Sequence, residues 1–281
     1  MIDQLEFYKM SGAGNDFIVG DDRQGSWSAM PLDRLAKGLC RQHLAVGADG
    51  LLLIEHSKKA HFRLRIFNSD GSESPMCGNG ARCAARYALM KVIAGRSMSI
   101  EVASGVITAE ILPDSRVRVE VPGPQEAPAR VSVRLGDRTL PAYLTDAGVP
   151  HLVVFVKDVR SVPVSTLGAA LRHAPETGPG GANVDFVTIS PTPPFPMRTF
   201  ERGVEAETLA CGTGATAAAW TLFKLGLSGP GVRLLTASGE ELLVEIRDGG
   251  SPSPGFHLTG GARLVCRGSL PQEAIQEALR C

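Results

Sequence analysis

Two cysteines occupy the same chemical setting at distant points of the chain. Cys77 in "PMCGNGARCAARYALM" and Cys211 in "LACGTGATAAAWTLF" each precede a pair of glycines and then an alanine-rich, helix-favouring run. A cysteine at a helix start feels the macrodipole and the unpaired backbone N–H groups, both of which favour the thiolate. The flanking glycines allow positive φ and let a ligand come close to the backbone. The same N–H groups make a site for a carboxylate. Two such thiols, one ionised and one protonated, are what a two-base inversion of an α-carbon requires. One removes the proton and the other delivers a proton to the opposite face. Backbone N–H groups would hold the negative charge that builds on the carboxylate.

The elements that must position these thiols are mostly short β-type runs, among them "LEFYKM", "DFIVGD", "GLLLIE", "FRLRIF", "HLVVFV", "VDFVTI" and "ELLVEI". Helical patterns fall at 31–43, 77–93, 164–173, 211–226 and 270–280, the last opening after Ser269 with Pro271 in its first turn. A shift of 134 residues overlays Gly47-Ala48 on Gly181-Ala182. It also overlays Cys77, Gly78, Gly80 and Ala81 on Cys211, Gly212, Gly214 and Ala215, and Ala103-Ser104-Gly105 on Ala237-Ser238-Gly239. One residue of slippage aligns Phe67-Asn68 with Phe200-Glu201. Separated anchors at one offset mean an internal duplication.

The expected fold is therefore α+β: two pseudo-symmetric domains, each a curled β-sheet around a central helix, with the active site in the cleft between them. The Pro-rich "EVPGPQEAPARV" marks the seam. The expected division is 1–122 plus 268–281 for the first domain and 123–267 for the second. The C-terminal helix has no counterpart in the repeat and is expected to pack back on the first half.

Composition narrows the function classes. The 281 residues carry 29 basic and 29 acidic side chains, so no global charge points to nucleic acid or an anionic membrane as partner. The start, "MIDQLEFYKM", has charges where a signal peptide needs an apolar core, and no apolar run reaches bilayer length. A cytoplasmic location is the expectation. The six cysteines, at 40, 77, 83, 211, 266 and 281, show no paired metal spacing. Cys40, Cys83 and Cys266 read as small core hydrophobes. No metal is expected. No pyridoxal phosphate is expected either, since its lysine motif is not recognisable.

"KMSGAGNDFIV", "FNSDGSESPMCGNGARC" and "ERGVEAETLACGTGA" resemble the three signature blocks of diaminopimelate epimerase. The resemblance implies interconversion of LL- and meso-diaminopimelate without metal or cofactor. It implies Cys77 and Cys211 as the catalytic pair, with His151 and Glu201 assisting near the reacting centre. It implies substrate contacts from Asn15, Asn68, Gly78, Asn79, Asn183, Glu201, Arg202, Gly212 and Thr213. The residue types suit such a substrate, because Arg202 can clamp a distal carboxylate and the asparagines supply neutral donors and acceptors. Asn15 and Asn183 also read as turn formers, and His151 as a core histidine.

Two positions depart from the family. Val149 in "GVPH" stands where an asparagine is common, and Gly50 in "GADG" stands where some members carry glutamine. Three rival readings follow. One is a related racemase acting on proline, hydroxyproline or histidine, or with broad specificity. Another is a non-catalytic amino-acid-binding protein, which would need neither thiol. The third is a thiol–disulfide redox protein, disfavoured because neither cysteine lies in a C-x-x-C. The substrate expected is a small amino acid and the assembly a possible homodimer.

Overall fold

The computed structural model describes residues 4–247 and 254–280. Cys281 lies outside the described residues. The chain opens with β1 (Gln4–Gly12), β2 (Asn15–Asp21), α1 (Leu32–Leu39), β3 (Gly50–Glu55), β4 (Phe62–Asn68), the short β5 (Glu73–Ser74), α2 (Gly78–Met90), β6 (Ser97–Val102), β7 (Gly105–Ile111) and β8 (Val117–Val121). It then runs through β9 (Ala129–Leu135), β10 (Arg138–Asp146), β11 (Pro150–Val156), α3 (Ala169–Arg172), β12 (Asn183–Thr188), β13 (Phe195–Glu201), β14 (Ala206–Thr208), α4 (Gly212–Lys224), β15 (Gly231–Leu235), β16 (Glu241–Arg247) and β17 (Gly255–Gly260). It ends with β18 (Arg263–Pro271) and α5 (Gln272–Ala278).

Two compact units result. One reaches Val119 and resumes at Gly261; the other is Glu120–Gly260. The return to the first unit comes before the expected residue 268, because β18 pairs antiparallel with β1 from Gln4↔Pro271 to Ser11↔Arg263. The mirror event occurs at β9. This strand follows β8 in sequence but pairs with β10 along its whole length. Each unit is thus completed by a strand at the same place in the repeat.

Both units share one plan. An antiparallel hairpin-like pair leads into a parallel crossover, β2 beside β3 in one and β11 beside β12 in the other. The strand after the crossover turns back antiparallel. The central strands are apolar on both faces, as in "GLLLIE", because both faces are covered. In the first unit α2 packs against β1, β2, β3, β4 and β7, and in the second α4 packs against β10, β11, β12, β15, β16 and β17.

A helix wrapped this way must be buried almost all round. Alanine makes that possible: Ala81, Ala84, Ala85 and Ala88 on α2, and Ala215, Ala217, Ala218 and Ala219 on α4, have no solvent exposure. Small side chains let strands approach the helix from several sides without overpacking. Trp220 adds the bulk that α2 obtains from Tyr87. Its indole N–H donates to the carbonyl of Glu126, 2.7 Å away.

A second apolar layer covers each sheet's other face. In the first unit Leu51, Leu53 and Phe67 meet Leu35 and Leu39 of α1 and Ile275 and Ala278 of α5. The C-terminal helix thus packs against the apolar layer of the first unit. In the second unit Val184, Phe186 and Phe200 meet Val159, Val164 and Leu171.

Several expectations need correction. The helix expected at 270–280 begins only at Gln272, since Leu270 and Pro271 continue β18 and Pro271 fills the N-cap position. The helix expected at 164–173 is a single π-helical turn, Val164–Gly168, followed by the four residues of α3. Cys266 is not core. It lies in the "RLVCR" segment of β18, whose residues are exposed on both faces because β1 covers only an edge of that strand.

Candidate functional site

Cys77 and Cys211 are the N-cap residues of α2 and α4, both in extended backbone conformation. Each Sγ accepts the N–H of the second glycine, Gly80 or Gly214, at 3.4 Å. The N-cap role uses sulfur where serine or aspartate is usual. The first N–H groups of each helix have no intrahelical acceptor and point past the thiol. They belong to Gly78-Asn79 and Gly212-Thr213.

In the first unit, amides surround the thiol's helix turn. Asn79, almost fully buried, donates through Nδ2 to Oδ1 of Asn15. Asn15 Nδ2 donates to Asp49 Oδ2 at 3.0 Å. Arg82, wholly buried on α2, donates to Asn79 Oδ1 at 2.8 Å and to the carbonyls of Gly78 and Gly261. The turn holding Asn15 is stitched to Asp49 by reciprocal bonds: Asp16 N–H donates to Asp49 Oδ2, and Asp49 N–H to Asp16 Oδ1. Lys9 pairs with Asp16 at 2.6 Å and donates to the carbonyl of Gly47, whose φ is +70°. Asn15 is thus more than a turn former. Asn68 ends β4 opposite Gly50, exposed, with its amide on Ser72 Oγ at 2.9 Å.

Gly50 is settled by space. A Cβ there would stand 2.6 Å from the carbonyl oxygen of Phe67, which is backbone and cannot yield. A side chain there would require the backbone to shift, so Gly50 marks a close strand approach. The Val149 turn is held without its own side chain: Ala147 N–H donates to the Val149 carbonyl, and the N–H of Gly148, whose φ is +92°, donates to the side-chain Oδ1 of Asp146.

In the second unit the same helix turn is chemically different. His151 is fully buried; its Nδ1 lies 2.7 Å from Asp185 Oδ2, and its Nε2 lies 3.0 Å from Thr213 Oγ1. Thr213 Oγ1 is 3.3 Å from Cys211 Sγ. Thr199 donates to the other Asp185 oxygen at 2.7 Å. Asn183 accepts the backbone N–H of Arg202 at 2.8 Å and turns its Nδ2 to the Pro150 carbonyl and His151 Nε2. Arg202 also donates through Nη1 to the carbonyl of Gly181, at φ +64°. Glu201 accepts the Thr208 hydroxyl at 2.9 Å.

The expectation that a helix start favours the thiolate fails at Cys211. Burial pushes this thiol well above its ordinary range, and the carboxylates of Glu201 and Asp185 push the same way. The Thr213 hydroxyl and Gly214 N–H act against them without prevailing. Desolvation is the larger effect, and Cys211 is held as a thiol.

Sequence reasoning brought Cys77, Gly78, Asn79 and Asn15 together in one unit, and Cys211, Gly212, Thr213, His151, Asn183, Glu201 and Arg202 in the other. It missed Asp185, Thr199, Asp49 and Arg82. Asp185 carried one signal, an acid inside the apolar run "NVDFVT". Among the described residues no three His, Cys, Asp or Glu side chains converge so as to hold a metal ion, and no helix is long and apolar enough to cross a membrane.

This fold is shared with a set of solved structures. A phenazine biosynthesis protein of the PhzF family from Bacillus anthracis superposes with TM-score 0.73 at 15% identity, covering 95% of this chain and 99% of that one. A hydroxyproline epimerase from Agrobacterium vitis superposes with TM-score 0.70 at 16% identity, covering 96% and 93%. These likenesses define the fold alone. The sequence goes further: the diaminopimelate epimerase family profile matches residues 7–125 and 143–265. The diaminopimelate epimerase of Aquifex aeolicus (strain VF5) is 39% identical over 282 residues, covering 97% of this chain and all of its own length. The chain belongs to the diaminopimelate epimerase family.

Proposed function

We propose that this protein interconverts LL- and meso-diaminopimelate by two-base proton exchange, Cys77 and Cys211 each serving one face of the α-carbon. The observation that carries the reading is the repeated thiol N-cap, Cys77 on α2 and Cys211 on α4, each bonded to the N–H of its second glycine. One protonated and one ionised thiol are needed. Burial and the neighbouring carboxylates raise the Cys211 thiol, which suits it to the protonated role when the α-proton leaves from the Cys77 side; in the reverse direction the roles exchange.

The N–H groups at Gly78-Asn79 and Gly212-Thr213 hold the carboxylate of the reacting end as charge builds on it. His151, joined to Cys211 through Thr213, and Glu201, whose charge reaches Cys211, assist proton movement. Arg202 binds the distal carboxylate, and Asn15, Asn68, Asn79 and Asn183 bind or orient polar groups. The setting is cytoplasmic lysine and peptidoglycan-precursor synthesis. A homodimer is the proposed assembly, supported by the exposed apolar Leu264 and Val265 on β18.

The test is to incubate the pure protein with LL-diaminopimelate in D2O without added pyridoxal phosphate or metal. Deuterium should enter at one α-carbon and the meso isomer should form. Exchange confined to proline, hydroxyproline or histidine would replace the substrate assignment with that of a related racemase. Binding without exchange would reduce the protein to an amino-acid-binding one.

A further inference from the structure

We infer that Asp185 is a positioning residue for this reaction: it fixes His151 as the Nδ1–H tautomer and so orders the hydrogen bonds that run from the Cys211 S–H to the ring. The inference rests on the reading of Cys211 as one of the two reacting thiols.

The tautomer follows from two independent constraints. A carboxylate only accepts hydrogen bonds, so the Nδ1 that lies 2.7 Å from Asp185 Oδ2 carries the ring proton. The second constraint starts on the far side of the ring. A backbone N–H only donates, so the Arg202 N–H fixes which end of the Asn183 amide is oxygen. The NH2 end then faces the Pro150 carbonyl at 3.3 Å and His151 Nε2 at 3.4 Å. An NH2 group also only donates, so Nε2 carries the lone pair. Both routes give the same tautomer.

The direction of the remaining bonds is then determined. The Thr213 hydroxyl donates to Nε2 at 3.0 Å, which leaves its oxygen to accept the S–H of Cys211 at 3.3 Å. When Cys211 protonates the α-carbon, its S–H bond breaks and a C–H bond forms. The Thr213 O–H then rotates from Nε2 to the new thiolate, keeping its own proton, while Asn183 stays on Nε2. No other group in this chain of hydrogen bonds gains or loses a proton; the α-proton itself leaves to Cys77.

The repeat shows that the fold does not need this carboxylate. Beneath the first turn of α2, the missing Cβ of Gly80 faces Leu52; beneath that of α4, the missing Cβ of Gly214 faces Asp185 Oδ1. A leucine fills the site in one unit. In the other, a fully buried acid has been placed there and tied down by Thr199 from β13. Asp185 holds His151 of β11 and Thr199 of β13, and its charge and that of Glu201 reach Cys211, the N-cap of α4, which is bonded to Thr213.

The test uses the full chain labelled with 15N-histidine and no substrate. Long-range 1H–15N correlation should show His151 with a protonated Nδ1 and an unprotonated Nε2. Asp185→Asn should lose that signature and lower kcat for LL-diaminopimelate by about 10²-fold or more, with KM little changed. Asp185→Glu, which restores a carboxylate, should recover part of the loss. An Nε2–H tautomer in the wild-type protein would overturn the inference, whether or not the variants fold. So would a folded Asp185→Asn protein with wild-type kcat, or one that loses kcat while keeping the wild-type tautomer. Because the tautomer is read without substrate, a wrong substrate assignment and a wrong role for Asp185 give different results.

Discussion

At the scale of single residues, the two thiols share a backbone setting and differ in everything around it. Cys77 sits on a helix turn whose one amide, Asn79, is held by the buried Arg82 and by Asn15 of β2; Cys211 sits on one held by a buried histidine and acid. Both thiols are needed if each serves one face. Cys77→Ala and Cys211→Ala should each abolish epimerisation and leave the circular dichroism spectrum unchanged, and full activity in either would exclude the two-thiol mechanism. Val149→Asn should leave stability within about 0.5 kcal/mol, because the turn is held by the Val149 carbonyl and the Asp146 carboxylate and not by the Val149 side chain; urea titration checks this. Buried thiols also give stability a pH dependence. The thiol of Cys40, raised by burial and by Asp16 and Asp49 against the pull of Lys9, reaches about 12 from an ordinary 9.0. From pH 9 upward the unfolded chain releases that proton and the folded chain does not. The stability it contributes is whole below pH 9 and lost as pH climbs toward 12. Cys211 acts in the same sense. Melting temperature should therefore fall above pH 9, and less steeply in Cys40→Ala.

At the scale of elements, glycines decide how closely each helix start can lie on its sheet. A Cβ at Gly80 would be tight only against the end of the flexible Leu52 side chain, at 3.1 Å, whereas one at Gly214 would run into the tethered carboxylate oxygen of Asp185. Alanine is also the better helix former by about 0.5–1 kcal/mol. Gly80→Ala should thus be close to neutral, while Gly214→Ala should cost about 1–3 kcal/mol of overpacking and shift Asp185. Chemical denaturation of the two variants side by side decides it. Gly50→Gln should destabilise by a similar amount through the Phe67 carbonyl. These costs were not legible in the sequence, where the glycines of both motifs look alike. The helices themselves were legible, since "ARCAARYALM" and "ATAAAWTLFK" announce small-residue faces.

At the scale of the whole molecule, the last strand and helix of the chain complete the first unit. β18 covers the edge of β1, and α5 completes the apolar layer over β3 and α1, where the Gly38 position lies against the Ala278 backbone. Removing everything after Gly260 should leave the first unit with an open β1 edge and an uncovered core. Such a truncation should lose near-ultraviolet circular dichroism and become protease-sensitive. The milder Ile275→Ala should cost about 2–5 kcal/mol, read by urea unfolding.

What the sequence determined by itself was the duplication, the pair of thiols and the apolar strands and alanine-rich helices that carry them. All of these are written in local pattern and in spacing, and each survives without knowing which strands meet. What only the tertiary structure decided was partnership. The parallel register of β11 and β12 sets His151 opposite Asn183, and the fold beneath α4 brings Asp185 to the same ring. The pairing of β18 with β1 closes one unit with residues more than 250 positions downstream. A buried acid in a strand reads as an anomaly until the histidine that justifies it is brought beside it, and no local pattern records that meeting.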